Sequence, residues 1–551
     1  MTLPRKRNIN ATLICIALIG GYFYLWDHYA LNIPKWDDHV FKATILNYAH
    51  ADSFGAKIYE LYRQHNEHRV ALTRLVALMD FGLFGTLSYK HLMLFGNLAL
   101  LVIGWLLVRF FKATVAPVWY ALPVVSLWFS LAFWENAFWG MAAIQNLWVV
   151  AFAMLAFWFV GQQDRQWGWA ILFAFCATFT SGNGLGVWPI GLGIFLVQRQ
   201  WKRSIWWLLA SVFSFVLYFY DYQTPPPQNF DTVAVGFGDW LRAFILFSGS
   251  LMEGVSIGND PYQMPLWVGR LNLFVSICLL LYLVRSYWKR HFELSPNDYF
   301  YLGSTLFVLA TAVVVVYGRV GDNEYAVLTS RYKVYSALLL SLNVAYLTLL
   351  VSERFFRETL HVTFLVAAAF VYICNQHYHL YETIMFRKFL ITSSLNNELH
   401  LAPKLNGKPI YTAPALFTDK IGATPADTAQ AVPCALAKNK DGSFLKLARA
   451  DYRLRDMRDG GLYLFLENKQ TNKRYLFPTE QARKHSFRNL LNYNNFFIKG
   501  STTNVSSAEV MPGTYRVFWL YYATNRMDFQ RAICNEVVFE KTNRKEVKTN
   551  W

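Results

Sequence analysis

Residues 88–110 read SYKHLMLFGNLALLVIGWLLVRF. Between Lys90 and Arg109 there is no Asp, Glu, Lys or Arg, and Leu, Val, Ile and Phe dominate. At about 1.5 Å per residue such a run is a helix long enough to cross a hydrocarbon core of about 30 Å. Similar runs recur near 11–26, 116–133, 142–160, 167–181, 184–198, 204–220, 266–284, 299–318, 335–351 and 360–376. Several are short for a straight crossing, but together they predict about eleven spans. Composition agrees: of 551 residues 55% are hydrophobic and only 16% charged, against roughly a quarter charged in soluble domains. The expected fold class is therefore an α-helical polytopic membrane protein.

The net charge of +17 raises nucleic acid as a partner, but many of the cations sit where helices end. Arg5, Lys6 and Arg7 precede the first span, which has no small-residue cleavage site after it and reads as an uncleaved anchor. If that helix runs outward and the rest alternate, the inner loops hold Arg109, Lys112, Arg165, Arg199, Lys202, Arg203, Arg285, Lys289, Arg290, Arg354 and Arg357. Cytoplasmic loops are expected to be basic, so nucleic acid drops out and membrane lipids remain. Residues 28–87 and everything after about 377 then lie outside the cytoplasm. Phe237 to Met252 is apolar enough for an interfacial or re-entrant helix, though Asp239 and Arg242 argue against a crossing.

This divides the chain into a membrane domain, 1–376, a linker, 377–400, and a soluble domain, 401–551, with 24 Lys+Arg against 13 Asp+Glu. The alternation in Gly461–Glu467 and Thr514–Tyr522 predicts strands, hence an α+β or mostly β module. Cys434 and Cys534 fall in this module and are expected to pair if it faces an oxidising compartment; the other four cysteines lie in apolar runs. No Walker, HExxH, CxxC or EF-hand motif occurs, and no cofactor is expected.

A transporter keeps ionisable residues along its spans. Here the spans are nearly clean and the polarity gathers in the outer turns. Asp37 and Asp38 follow the first span; mutual repulsion and burial raise one carboxylate's pKa, making a base for a hydroxyl proton. Adjacent helical side chains diverge by about 100°, so one of the two is expected at the reacting group and the other beside a neighbour. A solvated helix-capping pair is the plain alternative. Glu67, His68 and Arg69, close to His65, fit contacts to sugar hydroxyls and a phosphate, or a polar rim at the headgroups. The histidines and carboxylates leave a divalent metal possible, although the spacing matches no defined site. Glu135 and Asn136 lie between Trp134 and Trp139, as in a sugar-binding surface, while the indoles alone would suit an interfacial belt. Arg331, Tyr332 and Lys333 place cations on the side where few are expected, where a phosphate or an anionic headgroup would hold them.

This combination resembles the GT-C class of integral membrane glycosyltransferases, and within it the bacterial enzymes that modify O-antigen or pilin. The resemblance rests on the topology, Asp37-Asp38, His65 to Arg69, Glu135-Asn136 and Ser330-Arg331-Tyr332. It implies a polyprenyl-phosphate-linked sugar donor, a glycan or protein acceptor, and a site on the periplasmic face of the inner membrane. It also implies that Asp37 or Asp38 is the general base of an inverting transfer, and that Arg331, with Arg69 or Lys333, stabilises the departing phosphate. A metal serves that last role in some relatives, but the DxD spacing is missing here. The competing expectations are a lipid-linked sugar flippase without chemistry, a scaffold acting through its tail, and a polymerase or ligase using a diphosphate-linked donor.

Overall fold

The computed structural model describes residues 3–162, 165–224, 235–255, 260, 262–321, 324–397, 403–421, 431–432, 434–438, 444–450, 457–468, 470–483, 497–523 and 526–540. Eight helices are long and apolar enough to cross a membrane: Arg5–Tyr29, Tyr89–Phe110, Pro117–Phe138, Gly140–Gly161, Gln263–Lys289, Pro296–Arg319, Ser330–Leu350 and Arg354–Asn396. Of the other three expected crossings, Gly168–Thr178 and Gly182–Val197 are shorter apolar helices, and Trp201–Phe219 opens with Lys202 and Arg203. The helix at Phe237–Gly249 has 13 residues, too few to span.

The bundle is built for lipid. Ile205, Leu209, Phe213 and Val216 face outward from one helix and Leu271, Phe274, Ile277 and Leu281 from another; in water such stripes would drive aggregation, whereas acyl chains solvate them. Polar side chains turn inward instead. Asn343 Nδ2 donates to Asn272 Oδ1 at 2.7 Å and to Ser276 Oγ at 2.9 Å, since an amide left unpaired in hydrocarbon is costly. Gly249 and Gly269 let two helices touch: a Cβ on either would come within 2.0 Å of the other helix's carbonyl oxygens.

The bundle has two distinct ends. At one, Arg7 pairs with Glu358 at 2.8 Å, Asn297 donates to the Phe110 carbonyl at 3.0 Å and Tyr287 to that of Val197 at 3.1 Å. The basic helix ends around Arg109, Arg199 and Arg290 therefore share one face. The opposite end carries residues 30–87 and the C-terminal strands. Leu87 N–H donates to the Ile410 carbonyl at 2.7 Å, and the Tyr411 hydroxyl to the Asn32 carbonyl at 2.6 Å.

Residues 377–396 are helix and not the linker expected there. The helix Arg354–Asn396 runs 43 residues unbroken, about 65 Å at 1.5 Å per residue. The change of composition near His379 marks a change of surroundings, not a helix end: no Gly or Pro intervenes, and Tyr381, Ile384, Leu390 and Ile391 continue an apolar stripe that is buried. That stripe meets a five-stranded sheet, in the order Ala431–Val432, Arg526–Phe539, Gly513–Ala523, Gly461–Glu467, Arg474–Pro478. The two expected strands are present and pair antiparallel, Tyr522 opposite Gly461 and Arg516 opposite Glu467. Strand alternation gives the sheet two buried faces. Tyr463, Phe465 and Phe518 join the helical core, while Leu464, Val517 and Trp519 pack with Leu445, Leu447 and Val505 of a second, four-stranded sheet. Arg387 fastens helix and sheet, its Nη2 donating to Asp459 at 3.2 Å and its Nη1 to the Tyr29 carbonyl at 3.0 Å. Cys434 is disulfide-bonded; the side chain of Cys534 lies outside the described residues.

Candidate active site

After the first helix the chain extends through Lys35, and Trp36 turns it at φ +42° into a 3-10 turn, Trp36–His39. That turn parts the two carboxylates. Asp38 points inward, fully buried, accepting from Lys35 N–H at 3.1 Å and Met141 N–H at 2.7 Å. Burial pushes its carboxyl up to about 7, against the two backbone donors that favour its charged form. Asp37 points outward, 29% exposed, with Oδ1 3.8 Å from His65 Nε2. One carboxylate is thus reachable, and the other ties the turn to the Gly140–Ala142 segment.

The burial of Asp38 predicts a pH effect on stability. Between the ordinary Asp value and about 7 the native state holds a proton that the unfolded chain has lost, so stability falls as pH rises through that window and levels off above it. In detergent, the melting temperature of the native chain minus that of Asp38→Asn should decrease from pH 5 to pH 8. A constant difference would place the Asp38 proton elsewhere.

Beside this turn lies a buried ion pair. Lys35 Nζ is 3.3 Å from Glu135 Oε1 and lies within 4.1, 4.7 and 4.5 Å of the ring centres of Trp36, Trp139 and Phe386. Burial lowers the Lys35 pKa, and Glu135 opposes that shift. Glu135 and Asn136 sit on the helix Trp134–Phe138, fixed to the turn at Ser330–Tyr332: Glu135 N–H donates to Ser330 Oγ at 3.2 Å and Asn136 Nδ2 to the Arg331 carbonyl at 2.9 Å. Arg331 holds its guanidinium 5.8 Å from the Trp139 ring centre and 5.3 Å from that of Tyr332. Among the described residues no carboxylate pairs with it. Trp36 meets the same indole edge-on at 5.5 Å. Trp139 is therefore the common wall between the acidic turn and the guanidinium.

Two expected phosphate ligands are engaged elsewhere. Arg69 is 1% exposed and its donors go to main-chain carbonyls: Nε to Tyr218 at 2.8 Å, Nη1 to Tyr62 at 3.1 Å, Nη2 to Tyr220. It pins the hairpin at Gln64–Arg69 to the end of the Trp201–Phe219 helix. Lys333 is 2% exposed and paired with Glu253. Each carbonyl that loses a buried donor costs about 1–3 kcal/mol, so Arg69→Met should lower the melting temperature by several degrees; an unchanged melting curve would refute this structural role. Tyr332 accepts from Arg319 Nε at 3.2 Å. Glu67 is half exposed and 3.7 Å from His68 Nε2. His68 Nδ1 accepts from Gly182 N–H at 3.3 Å, and burial lowers its pKa. Among the described residues no three His, Cys, Asp or Glu side chains converge to hold a metal.

Lys35 did not stand out in the sequence, because a lone lysine next to two aspartates reads as surface charge. Only the tertiary fold brings Glu135 and Phe386 to it, from 100 and 351 residues away. Nor did the π-helical turn Ala143–Leu147, from which Asn146 Nδ2 donates to Asn136 Oδ1 at 2.9 Å; such turns are frequent at functional sites. Compared with known proteins, the chain matches no family model, no curated protein and no solved structure.

Proposed function

We propose that this protein is an inverting glycosyltransferase of the GT-C class, moving a monosaccharide from a polyprenyl-phosphate donor to a hydroxyl of a cell-surface glycan or pilin-type protein. The observation that carries the proposal is that the turn bearing a solvent-reachable carboxylate, Asp37, touches through Trp36 the same indole, Trp139, that lies beside Arg331, a guanidinium without a carboxylate partner among the described residues, at one end of a helical bundle. The basic helix ends at the other end support the orientation, cytoplasmic there and periplasmic here, in a bacterial inner membrane.

In this reading the donor's isoprenoid lies in the bilayer and its phosphate at the interface. The acceptor oxygen attacks the anomeric carbon as the bond to the phosphate oxygen breaks. The hydroxyl proton goes to Asp37, and the bonding pair leaves with the phosphate, whose charge Arg331 meets. Asp38 holds the turn, His65 orients Asp37, and the Lys35–Glu135 pair keeps Trp139 in place. Positioning is the main contribution a membrane enzyme of this kind makes, because both substrates are already confined to the interface.

The test is sugar transfer by the full chain in proteoliposomes supplied with defined polyprenyl-phosphate sugars and cell-envelope acceptor. Release of polyprenyl phosphate with inversion at the anomeric carbon supports the proposal. Passage of the donor across the bilayer with no bond cleaved would replace it with a flippase.

A further inference from the structure

Three part-exposed side-chain amides, Gln145, Asn146 and Asn183, are all held the same way round. Gln145 Nε2 donates to Ser181 Oγ at 3.4 Å, Asn146 Nδ2 to Asn136 Oδ1 at 2.9 Å, and Asn183 Nδ2 to the Tyr335 hydroxyl at 2.8 Å and to Thr311 Oγ1 at 3.3 Å. Their three oxygens accept no hydrogen bond from a described residue and stay open to solvent. We propose that these oxygens bind hydroxyl groups of the transferred sugar, and that they select a hexose over its deoxy analogues. The inference rests on the glycosyltransferase reading and names the residues that recognise the sugar.

Three features carry it. First, the orientation of Asn146 is dictated by its neighbours. The Arg331 carbonyl can only accept, so Asn136 turns its Nδ2 there and its Oδ1 to Asn146, which must then present Nδ2 and leave its own oxygen outward. Second, each amide has its N–H₂ engaged and its oxygen open, so what these groups offer a ligand is acceptors alone. A hydroxyl supplies the missing donor, and a site built to bond hydroxyls rejects an analogue that lacks one. The acceptors are fixed before the ligand arrives, Gln145 and Asn146 by the π-helical turn as well as by their bonds, so little ordering opposes binding. Third, the amides join the two halves of the reaction centre. At one end Asn146 is bonded through Asn136 to the Arg331 segment. At the other, Gln145 is bonded to Ser181, and the adjoining Gly182 N–H donates to His68. His68 lies opposite His65 in the hairpin, and His65 meets Asp37. A sugar with its phosphate on Arg331 and its anomeric carbon toward Asp37 therefore has its hydroxyls where these oxygens are.

The full-length protein in nanodiscs should be titrated with D-glucose, D-mannose and D-galactose, and with the monodeoxyfluoro derivatives of each, read by saturation-transfer NMR. At least one hexose should bind, and fluorine, which cannot donate, should weaken it at one or more ring positions. Gln145→Met and Asn183→Leu each remove one acceptor and should weaken the hexose by about two- to tenfold, the worth of one net hydrogen bond. Gln145→Glu and Asn183→Asp should retain it, because the Ser181 and Tyr335 hydroxyls can turn to donate to a carboxylate whose second oxygen stays open. The fluorine penalty at one position should vanish in the variant that has lost the matching acceptor, a dependence that partial unfolding does not imitate. Binding of no hexose, indifference to fluorine at every position, or native affinity in both apolar variants overturns the proposal. Transfer by the native chain with an unaltered donor KM in both apolar variants removes this site and leaves the enzyme standing; hexose binding with these dependences but without transfer does the reverse.

Discussion

Asp37→Asn should lower sugar transfer by about 10²–10⁴-fold, the usual contribution of a positioned general base, with little change in melting temperature. The asparagine keeps the size and the half-exposed position beside His65 but cannot take a proton. Asp38→Asn should behave in the opposite way. Its carboxylate accepts from two main-chain N–H groups in a fully buried position, and an amide there sets its own N–H₂ against one of them, so folding suffers first. The pair therefore separates by two readouts: turnover falls at one position, stability at the other. Should Asp38→Asn fold normally and lose transfer while Asp37→Asn stays active, the assignment of base and positioning residue is reversed. His65→Ala should fall between the two, slowing transfer without abolishing it, because it orients a carboxylate that is still present.

The legible part of this protein is what a period or a run can encode. Long apolar stretches gave helices at the expected places, and two alternating segments gave strands whose ends match the reading to within one residue. Two things were not legible, for different reasons. The linker expected at 377–400 reflects a change of solvent: the helix passes from lipid-facing residues to residues facing a sheet, and composition changes while backbone conformation does not. The roles of Arg69 and Lys333 depend on partners 149 and 80 residues away in sequence, Tyr218 and Glu253, and a cation's partner cannot be read from its neighbours in the chain. The acidic pair was readable as a pair, with one member expected at work and the other in support. Which was which depends on the turn at Trp36.

Arg331→Ala should lower transfer from a polyprenyl-phosphate donor by about 10²–10³-fold, the scale measured when one preorganised donor to developing negative charge is removed. The argument lies in where the charge appears. As the glycosidic bond to phosphate breaks, the leaving oxygen gains charge at the membrane surface, and Arg331, on the indole that Trp36 of the acidic turn also touches, has no carboxylate partner among the described residues; Arg69 and Lys333 are spent on carbonyls and on Glu253. A guanidinium contributes paired donors as well as charge, so Arg331→Lys should recover only part of the loss. The diagnostic is the leaving group. A diphosphate-linked donor leaves more readily and depends less on the protein for stabilisation, so the deficit of Arg331→Ala should shrink with it, whereas that of Asp37→Asn should persist because the acceptor still has to lose its proton. Equal deficits with both donors would mean that Arg331 acts in binding or folding and not on the departing phosphate, and the cation that meets that charge would have to be sought elsewhere on the same face.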